Sequence, residues 1–342
     1  MTLQIIMPNS EEWDSFVSRQ PHAHVLQQTA WGVLKGAYGW DAARFALSDE
    51  TTIRAGAQVL FRALPLRLGT MAYLGMGPYV DEPELWPQFW AVLDELARRR
   101  GAAFLKWEPG IYHSGESPPD FAGWGFHESP QTIQPPRTIL IDISRDEEAI
   151  LAGMNQGTRR KIRQSLKGDV RYYEGARADV AAFTAMMQTT GTRNEFGVHE
   201  PAYYEKAYEL FVPSGDTALI LAEHEGDPLA GLMVFAKGAT AWYLYGASSN
   251  TKRNLMAAYG VQWRAIQWAR ARGCTVYDMW GVPDADADTL EAQFQERSDG
   301  LWGVYGFKRG WGGEIVRSAG AWDKVYNPLV YNAYRLALRV RG

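Results

Sequence analysis

Hydrophobic and polar positions repeat one order of elements twice along the chain. Residues 44–81 contain short apolar stretches separated by the turn signal Asp49-Glu50, and residues 218–249 contain similar stretches around Gly226-Asp227. Apolar stretches between turn residues are typical of antiparallel strands. The pattern therefore predicts one strand meander in each half of the chain.

Each predicted meander is followed by an amphipathic helix and a further strand. Apolar residues recur three positions apart in both helices, as Trp90, Leu93 and Leu96 in the first and Trp263, Ile266 and Ala269 in the second. Both helices end in a basic turn and a glycine, Gly101 or Gly273, which is the pattern of a helix C-terminus. Short apolar stretches, "AAFLKW" and "TVYDMW", then predict a strand in each half.

The two halves indicate a duplicated domain. Gly56 and Gly231 correspond at almost the same spacing as Gly101 and Gly273, and so long a period is not that of a solenoid. A meander, a helix and a further strand form the central part of the GNAT acyltransferase fold. We therefore predict an α/β (α+β) fold with two GNAT-like domains in tandem. Residues 1–143, completed by 318–342, form the first domain, and residues 144–317, beginning with a helix capped by Ser144, form the second.

Composition and charge exclude several classes of site. The 342 residues include 35 Lys and Arg against 39 Asp and Glu, so a polyanion can be bound only through a local basic patch. The single cysteine, Cys274, excludes disulfide scaffolds and cysteine-based zinc sites. The six histidines are scattered and no G-x-S-x-G motif is present, so we expect no metal and no Ser-His-Asp triad.

Neither predicted half has the Gly-rich helix start that holds the pyrophosphate of coenzyme A in an ordinary GNAT domain. Residues 251–260 carry the basic pair Lys252-Arg253 but no glycine before Gly260, and residues 81–90 are acidic and interrupted by prolines. We therefore expect an acyl donor other than coenzyme A, and no cofactor. Apolar runs such as 229–236 are far below the ~18 residues of a membrane span. The first residues also lack a basic signal-peptide start, so we expect a cytoplasmic location.

Two basic segments have alternative interpretations. In residues 159–167, five cations occupy nine positions, and Arg159, Arg163 and Lys167 share one helical face. This face is either simply solvated or a contact for nucleic-acid phosphates. The tail, residues 327–342, predicts a helix with apolar Leu329 and Leu336 among arginines. It either docks onto the first domain or contacts an anionic inner membrane leaflet.

The order of short motifs along nearly the whole chain resembles that of the FemABX peptidyltransferases. The motifs are "LQQTAWGVLK" (26–35), "GPYVD" (77–81), "QPPRTILIDIS" (134–144), "RRKIRQSLK" (159–167), "YLYGASS" (243–249), "YDMWGV" (277–282), "GVYGFKRGWGGE" (303–314) and "WDKVYNP" (322–328). The resemblance implies transfer of Gly, Ala or Ser from aminoacyl-tRNA to the side-chain amine of a lipid-linked or UDP-linked muramyl pentapeptide, which builds the interpeptide bridge of peptidoglycan. It also implies a monomer. No sustained heptad run is present, so we expect no coiled-coil arm.

The resemblance also implies roles for individual residues. Lys35 matches a lysine that contacts the diphosphate of the precursor, and Tyr203 matches a tyrosine that helps to bind it. His199 stands where the family often has an arginine. Tyr243 and Tyr245 match aromatic residues that line the cleft.

Phe307 and Lys308 match the family pair at the transfer centre, and Asp81 falls in a motif whose acid lies near the acceptor amine. Attack of an amine on an aminoacyl ester requires stabilisation of an oxyanion, for which one well-placed donor contributes about 3–4 kcal/mol. The glycine-rich stretch 303–314 is typical of a shaped loop or strand end, and we expect Lys308 to supply that donor. If the segment is extended, Arg309 points the other way, because neighbouring side chains alternate. Asp81, Asp278 or a substrate group is left to accept the amine proton. A GNAT-like enzyme with another donor, and a non-catalytic tRNA- or precursor-binding protein, are the alternatives.

Overall fold

The computed structural model describes residues 3–50, 52–110, 120–194 and 197–341, and it divides into two compact units. Unit 1 comprises Met1–Pro136 and Arg317–Gly342, and unit 2 comprises Arg137–Val316. The boundary lies a few residues before the one expected from the sequence, at 143/144. The reason is that residues 137–142, expected to complete the first domain, form a strand of the second sheet.

The described residues of unit 1 form a mixed sheet with four helices. Its strands are β1 (Gln4–Ile6), β2 (Asp41–Ser48), β3 (Ile53–Ala63), β4 (Thr70–Gly75), β5 (Tyr79–Val80), β6 (Ala102–Glu108), β7 (His127–Glu128) and β15 (Trp322–Val325), and its helices are α1 (Ser10–Ser18), α2 (Thr29–Gly36), α3 (Trp86–Arg99) and α11 (Pro328–Arg341). The sheet order is β1-β2-β3-β4-β6-β15-β7, with β5 paired to β3. Strands β4 and β6 are parallel because α3 connects them.

Unit 2 repeats this arrangement. Its strands are β8 (Arg137–Asp142), β9 (Arg171–Glu174), β10 (Thr217–His224), β11 (Asp227–Lys237), β12 (Thr240–Ser248), β13 (Val276–Asp278) and β14 (Glu314–Arg317), and its helices are α4 (Glu147–Gly153), α5 (Gln156–Lys167), α6 (Val180–Asn194), α7 (Pro201–Phe211), α8 (Ala257–Ala271), α9 (Ala287–Gln293) and α10 (Trp302–Lys308). The sheet order is β14-β8-β13-β12-β11-β10-β9. Strands β12 and β13 are parallel and are connected by α8.

Both meanders predicted from the sequence are present, as β2-β3-β4 and β10-β11-β12. The glycines expected at the ends of the two helices have left-handed backbone angles, with φ of 67° at Gly101 and 80° at Gly273. Only a residue without a side chain adopts these angles readily, so the glycine after each helix has a clear reason. The helices of the described part of unit 2 have at most 15 residues.

Two local expectations were wrong. Helix α4 begins after Asp146, whose side chain accepts a hydrogen bond from the Ala149 amide, and not at Ser144. Ser144 instead donates to the Asp142 carboxylate. Residues 303–314 were expected to form a loop or a strand end, but most of them form α10 and a following 3₁₀ turn at 309–311. Trp302 and Tyr305, which lie three positions apart, are both buried and account for the helix.

Helix α11 docks onto the sheet of unit 1. Asn327 caps its start by accepting a hydrogen bond from the Val330 amide. Tyr331 is buried against Phe104 of β6, and the hydroxyl of Tyr331 donates to Asp323 of β15. Of the two interpretations of the tail, docking onto the first domain is therefore correct for the face of the helix that carries Tyr331.

Candidate functional site

A cavity of about 510 Å³ opens beside the start of α8 in unit 2. It is bounded by β11, β12, the loop before α8, and α10. The loop reaches α8 through two non-glycine residues with left-handed angles, Lys252 and Met256. Phe307 of α10 and Tyr243 of β12 both line the cavity. Two residues singled out from the sequence are thus brought together here.

Cations lie around this cavity. Arg193 donates hydrogen bonds to Ser248 Oγ at 3.0 Å and to Asn250 Oδ1 at 2.8 Å. Burial and the neighbouring Arg253 lower the pKa of Arg193. Lys161 of α5 donates to the Tyr259 hydroxyl at 3.0 Å. These residues make the cavity a favourable place for an anionic ligand.

The basic pair Lys252-Arg253 is divided by the structure. Lys252 Nζ lies 2.7 Å from a Glu225 carboxylate oxygen and 3.0 Å from one of Asp227, which neutralise its charge. Arg253 is exposed, and its side chain forms no ion pair within the described residues. Of the two cations, only Arg253 therefore offers an uncompensated charge to a ligand.

Lys308 is buried at the end of α10. Its ammonium donates hydrogen bonds to the carbonyl oxygens of Trp280 at 3.1 Å and Gly281 at 2.7 Å, and it lies 5.5 Å from the centre of the Tyr243 ring. Burial lowers the pKa of Lys308 to about 7, although the Asp278 carboxylate acts in the opposite direction. Tyr243 therefore contacts both the cavity and the lysine.

The side chains of Lys308 and Arg309 point in different directions because α10 is a helix, and not because the segment is extended. Consecutive residues on a helix point about 100° apart, so Arg309 turns away and its Nε donates to Glu291 of α9 at 2.9 Å. Glu291 also accepts a hydrogen bond from Tyr305. Arg309 is thus part of a surface ion pair and is structurally distinct from Lys308.

Asp278 is buried at the end of β13 and braces the neighbouring backbone. One of its carboxylate oxygens accepts hydrogen bonds from the Thr138 hydroxyl and, at 2.7 Å, from the Trp280 amide. Trp280 has a left-handed φ of 56°. Asp278 therefore holds the backbone whose carbonyl groups receive the Lys308 ammonium.

Tyr243 and Tyr245 lie on opposite faces of the sheet. Alternation along a strand would place them on the same face, but the pairing of β12 with β11 shifts between them and leaves Leu244 as a bulge. Tyr243 packs with the core cluster that contains α8, whereas the Tyr245 hydroxyl shares a 3.0 Å hydrogen bond with that of Tyr203. We expected both tyrosines to line one cleft, but the bulge places their side chains in different surroundings.

His199 and Tyr203 form a stacked pair next to Tyr245. The His199 ring lies parallel to Tyr203 at 3.7 Å between ring centres. Tyr203 is buried, whereas His199 is exposed. Of this pair, the imidazole is the group that faces solvent, and Tyr203 supports it from below.

The basic run of residues 159–167 lies on α5, as predicted. Arg159 donates to the carbonyl oxygens of Ala152 and Met154 at the end of α4, which gives it a structural partner. Arg163 and Lys167 are exposed and line a depression along the helix, together with Arg160. The candidate phosphate contacts are therefore not equivalent.

Lys35 and Asp81, the two candidates in unit 1, have different surroundings. The Lys35 ammonium lies 4.9 Å from the Trp31 ring centre. Burial, and then the nearby Arg62 guanidinium, lower the pKa of Lys35 to about 8. Asp81 lies in a surface ion-pair cluster, 3.7 Å from the Arg54 guanidinium. Asp81 thus has a structural partner, whereas Lys35 lies next to a second cation.

Glu108, at the end of β6, was missed in the sequence. It is buried, it accepts hydrogen bonds from the Tyr73 hydroxyl at 2.7 Å and the Gln134 amide at 3.0 Å, and burial raises its pKa. A buried carboxylate with a raised pKa is typical of functional sites. The sequence feature that could have identified Glu108 is an acidic residue at the end of an apolar stretch.

Comparison with known proteins places the chain in a family. The model of the FemAB family matches residues 9–117, 120–227 and 217–339. A protein named lipid II:glycine glycyltransferase from Staphylococcus saprophyticus is 25% identical over 394 residues, covering 93% of this chain and 92% of the relative. The protein of the same name from Staphylococcus aureus is 25% identical over 403 residues, covering 94% and 93%.

Solved structures agree on the fold. The crystal structure of FemX has a TM-score of 0.86 and 22% identity, covering 96% of this chain and 99% of that one. A tandem GNAT protein from the clavulanic acid biosynthesis pathway has a TM-score of 0.54 and 12% identity, covering 96% and 99%. These likenesses confirm the predicted α+β fold with tandem GNAT-like domains, and the names of the relatives agree with the predicted transferase class. Because the family model spans most of the chain, the protein belongs to the FemAB family, as its motifs indicated.

Proposed function

We propose that the protein transfers glycine from aminoacyl-tRNA to a lipid-linked peptidoglycan precursor, lipid II, and so builds an interpeptide bridge. The observation that supports this most is the cavity of unit 2, which Phe307 and Tyr243 both line, together with the contact of the Tyr243 ring with the buried ammonium of Lys308. The names of the similar staphylococcal proteins favour glycine and lipid II. Alanine and serine are the alternatives from the sequence.

The proposed chemistry is aminolysis of an ester. The acceptor amine forms a C–N bond to the aminoacyl carbonyl carbon, and the C–O bond to the terminal ribose of the tRNA breaks. Two of the three ammonium protons of Lys308 are donated to backbone carbonyl groups, and the third donates to the oxyanion of the tetrahedral intermediate. The ribose oxygen leaves with the proton that the amine loses. Lys308 is thus a charge-stabilising group and not the nucleophile.

Each unit has a separate role in substrate binding. In unit 2, Arg163 and Lys167 contact tRNA phosphates, since both side chains are exposed and cationic. Arg159 supports that helix through its bonds to α4. His199, held by Tyr203 and Tyr245, contacts the precursor. In unit 1, Lys35 and its neighbour Arg62 bind the diphosphate, whose negative charge offsets the effects of burial and of Arg62, which both lower the pKa of Lys35.

The sequence offered Asp81 and Asp278 as proton acceptors. Asp81 is a weak choice, because its ion pair with Arg54 holds it at the surface. Burial raises the pKa of Glu108, which makes Glu108 the stronger candidate for a base within unit 1. None of the described helices is long and apolar enough to cross a bilayer. We propose that the protein is a monomer and reaches a lipid-linked acceptor by peripheral contact with the inner leaflet.

The test combines the purified chain with labelled glycyl-, alanyl- or seryl-tRNA and with either lipid II or its nucleotide-linked precursor. We expect glycine to be transferred to lipid II, with lower rates for the other donors and the nucleotide-linked acceptor. Lack of transfer in every combination would refute the proposal. Acyl transfer from a coenzyme A thioester to a small amine would support the GNAT-like alternative, and tRNA binding without turnover would support the non-catalytic one.

A further inference from the structure

The loop between β3 and β4 exposes large apolar side chains at the tip of a hairpin in unit 1. Leu66 is 89% exposed and Leu68 is 43% exposed. Leu66 and Arg67 both have a left-handed φ of 57°, although neither is glycine. Such angles are unfavourable for residues with a side chain and persist where the surroundings or a function require them. The tip thus combines backbone strain with an exposed leucine that contributes nothing to the core.

Helix α11 exposes a second set of apolar side chains. Leu329 is 84% exposed and Leu336 is 63% exposed. These positions lie on one face of the helix, seven residues apart. The opposite face, which includes Tyr331, is the one that docks onto β6. Docking therefore leaves an apolar face of α11 uncovered.

The hairpin tip and α11 meet at one corner of unit 1. Leu64, directly before the tip, packs against the buried cluster that contains Phe104 and Tyr331. Val330 and Tyr334 of α11 pack against the same cluster. The two segments thus pack against one cluster, and each exposes apolar side chains: Leu66 on the hairpin, and Leu329 and Leu336 on the helix. We call Leu64–Leu68 together with the exposed face of α11 the hairpin–helix corner.

The charges of this corner have a single sign. Arg67 lies between the two exposed leucines of the tip, and Arg335 and Arg339 lie on α11. Residues 62–70 and 327–341 contain no Asp or Glu, although the whole chain has a formal net charge of −4. A cationic segment in an acidic protein is complementary to an anionic partner. It also disfavours a symmetric contact with a second copy, because the same arginines would then face each other.

We propose that the hairpin–helix corner binds the surface of an anionic lipid bilayer. Leu66, Leu329 and Leu336 enter the boundary between headgroups and acyl chains, as the apolar residues of an interfacial helix do. Arg67, Arg335 and Arg339 pair with lipid phosphates, where each cation near the surface strengthens binding about fivefold. The proposal rests on the proposed function insofar as a lipid-linked acceptor gives the enzyme a reason to reside at a membrane.

The test is co-sedimentation of the full chain with vesicles of phosphatidylcholine, with and without about one-third phosphatidylglycerol. We expect binding only to the anionic vesicles and a marked loss at high salt. Leu66→Asp should lower the partition coefficient about tenfold, since it removes an inserted leucine and adds an anion. The double variant Arg335→Glu and Arg339→Glu should lower it by at least as much.

Ile5→Asp is the matched control, because Ile5 is also exposed (55%) on unit 1 but lies on the edge strand β1. It should bind vesicles like the wild-type protein. Absence of wild-type binding to anionic vesicles would overturn the proposal. So would equal binding by Leu66→Asp and wild type, or equal losses in Leu66→Asp and Ile5→Asp.

Vesicle binding is measured without any transfer reaction, so it is independent of the proposed activity. If glycyl transfer is absent but Leu66→Asp still abolishes vesicle binding, the hairpin–helix corner stands and the proposed function falls. If transfer is present, Leu66→Asp should slow transfer to lipid II in vesicles and leave transfer to the nucleotide-linked acceptor unchanged. An equal loss with both acceptors would show that Leu66 affects the transfer reaction itself and would contradict the membrane role.

Discussion

The crossovers β4-α3-β6 in unit 1 and β12-α8-β13 in unit 2 are the same supersecondary structure used in two ways. At the start of α3, Trp86 stacks on Trp90 and on Trp124, with ring centres 5.7 and 4.8 Å apart. At the start of α8, the corresponding region borders the cavity that Phe307 lines. One copy is thus filled with aromatic rings, whereas the other leaves room for a ligand. The crossover of unit 2 is therefore the one with space for a ligand.

The strand after each crossover shows the same contrast in its buried charges. When Gly101 is aligned with Gly273, Lys106 and Asp278 occupy equivalent positions, and both are buried. Lys106 forms a 3.0 Å ion pair with the equally buried Asp323, which neutralises it within the core of unit 1. Asp278 instead holds the backbone that receives the Lys308 ammonium. A buried charge at this position stabilises the fold in one unit and supports a candidate catalytic lysine in the other.

The largest effect on stability is expected from removing an aromatic ring from the packed crossover of unit 1. Trp107 of β6 is buried among these rings, and its indole donates to the Gly77 carbonyl at 2.6 Å. Trp107→Ala should lower the free energy of unfolding by about 3–5 kcal/mol, measured by urea denaturation. Val304→Ala, on the wall of the unit 2 cavity, is the control and should cost less than about 1.5 kcal/mol. Equal losses would contradict the idea that the aromatic filling of the unit 1 crossover stabilises the fold more than the cavity wall of unit 2 does.

The second effect concerns the lysine of the open unit. Lys308→Ala should reduce the transfer rate about 10²–10³-fold, which is the usual cost of removing one donor to an oxyanion. The measurement is single-turnover transfer from glycyl-tRNA, with circular dichroism to verify the fold. Arg309→Ala is the matched control. Arg309 is the cation next to Lys308, but it is paired with Glu291, so this variant should retain transfer. A Lys308→Ala enzyme with unchanged turnover would exclude this role.

The third effect comes from filling the cavity of unit 2 so that it resembles unit 1. Gly306 lines the cavity, and a methyl group placed there would meet its nearest neighbour, Phe294, at 3.9 Å. Gly306→Leu should therefore raise KM for the aminoacyl-tRNA about tenfold through steric conflict, while Gly306→Ala should leave it nearly unchanged. Similar KM values for both variants would show that the donor does not enter this cavity.

Most of the fold could be predicted from the sequence, because its signals are local. The helix-ending glycines Gly101 and Gly273 reflect backbone angles that the structure confirms. The error at residues 303–314 has a physical origin. Several glycines and aromatic residues favoured a loop or strand end locally, but burial of Trp302 and Tyr305 selected a helix.

The candidate site depended more on contacts that are distant in sequence. The bulge at Leu244 separates Tyr243 from Tyr245, and it arises from the pairing of β12 with β11. Lys252 is neutralised by Glu225 and Asp227 on the far side of a hairpin. No spacing along the chain reveals such neutralisation, because it is set by strand register.

The smallest effect separates two arginines of α5 and sharpens the assignment of the donor side to unit 2. Arg163 is exposed, so Arg163→Ala should weaken tRNA binding severalfold and make the dependence of log affinity on log salt shallower by about one. Arg159→Ala should instead lower the free energy of unfolding by about 1–2 kcal/mol, because it removes hydrogen bonds to the end of α4. Filter binding over a salt series, together with urea denaturation, measures both quantities. A salt slope that is unchanged in Arg163→Ala would identify the basic face as merely solvated, and the donor would then be held by the cations around the cavity alone.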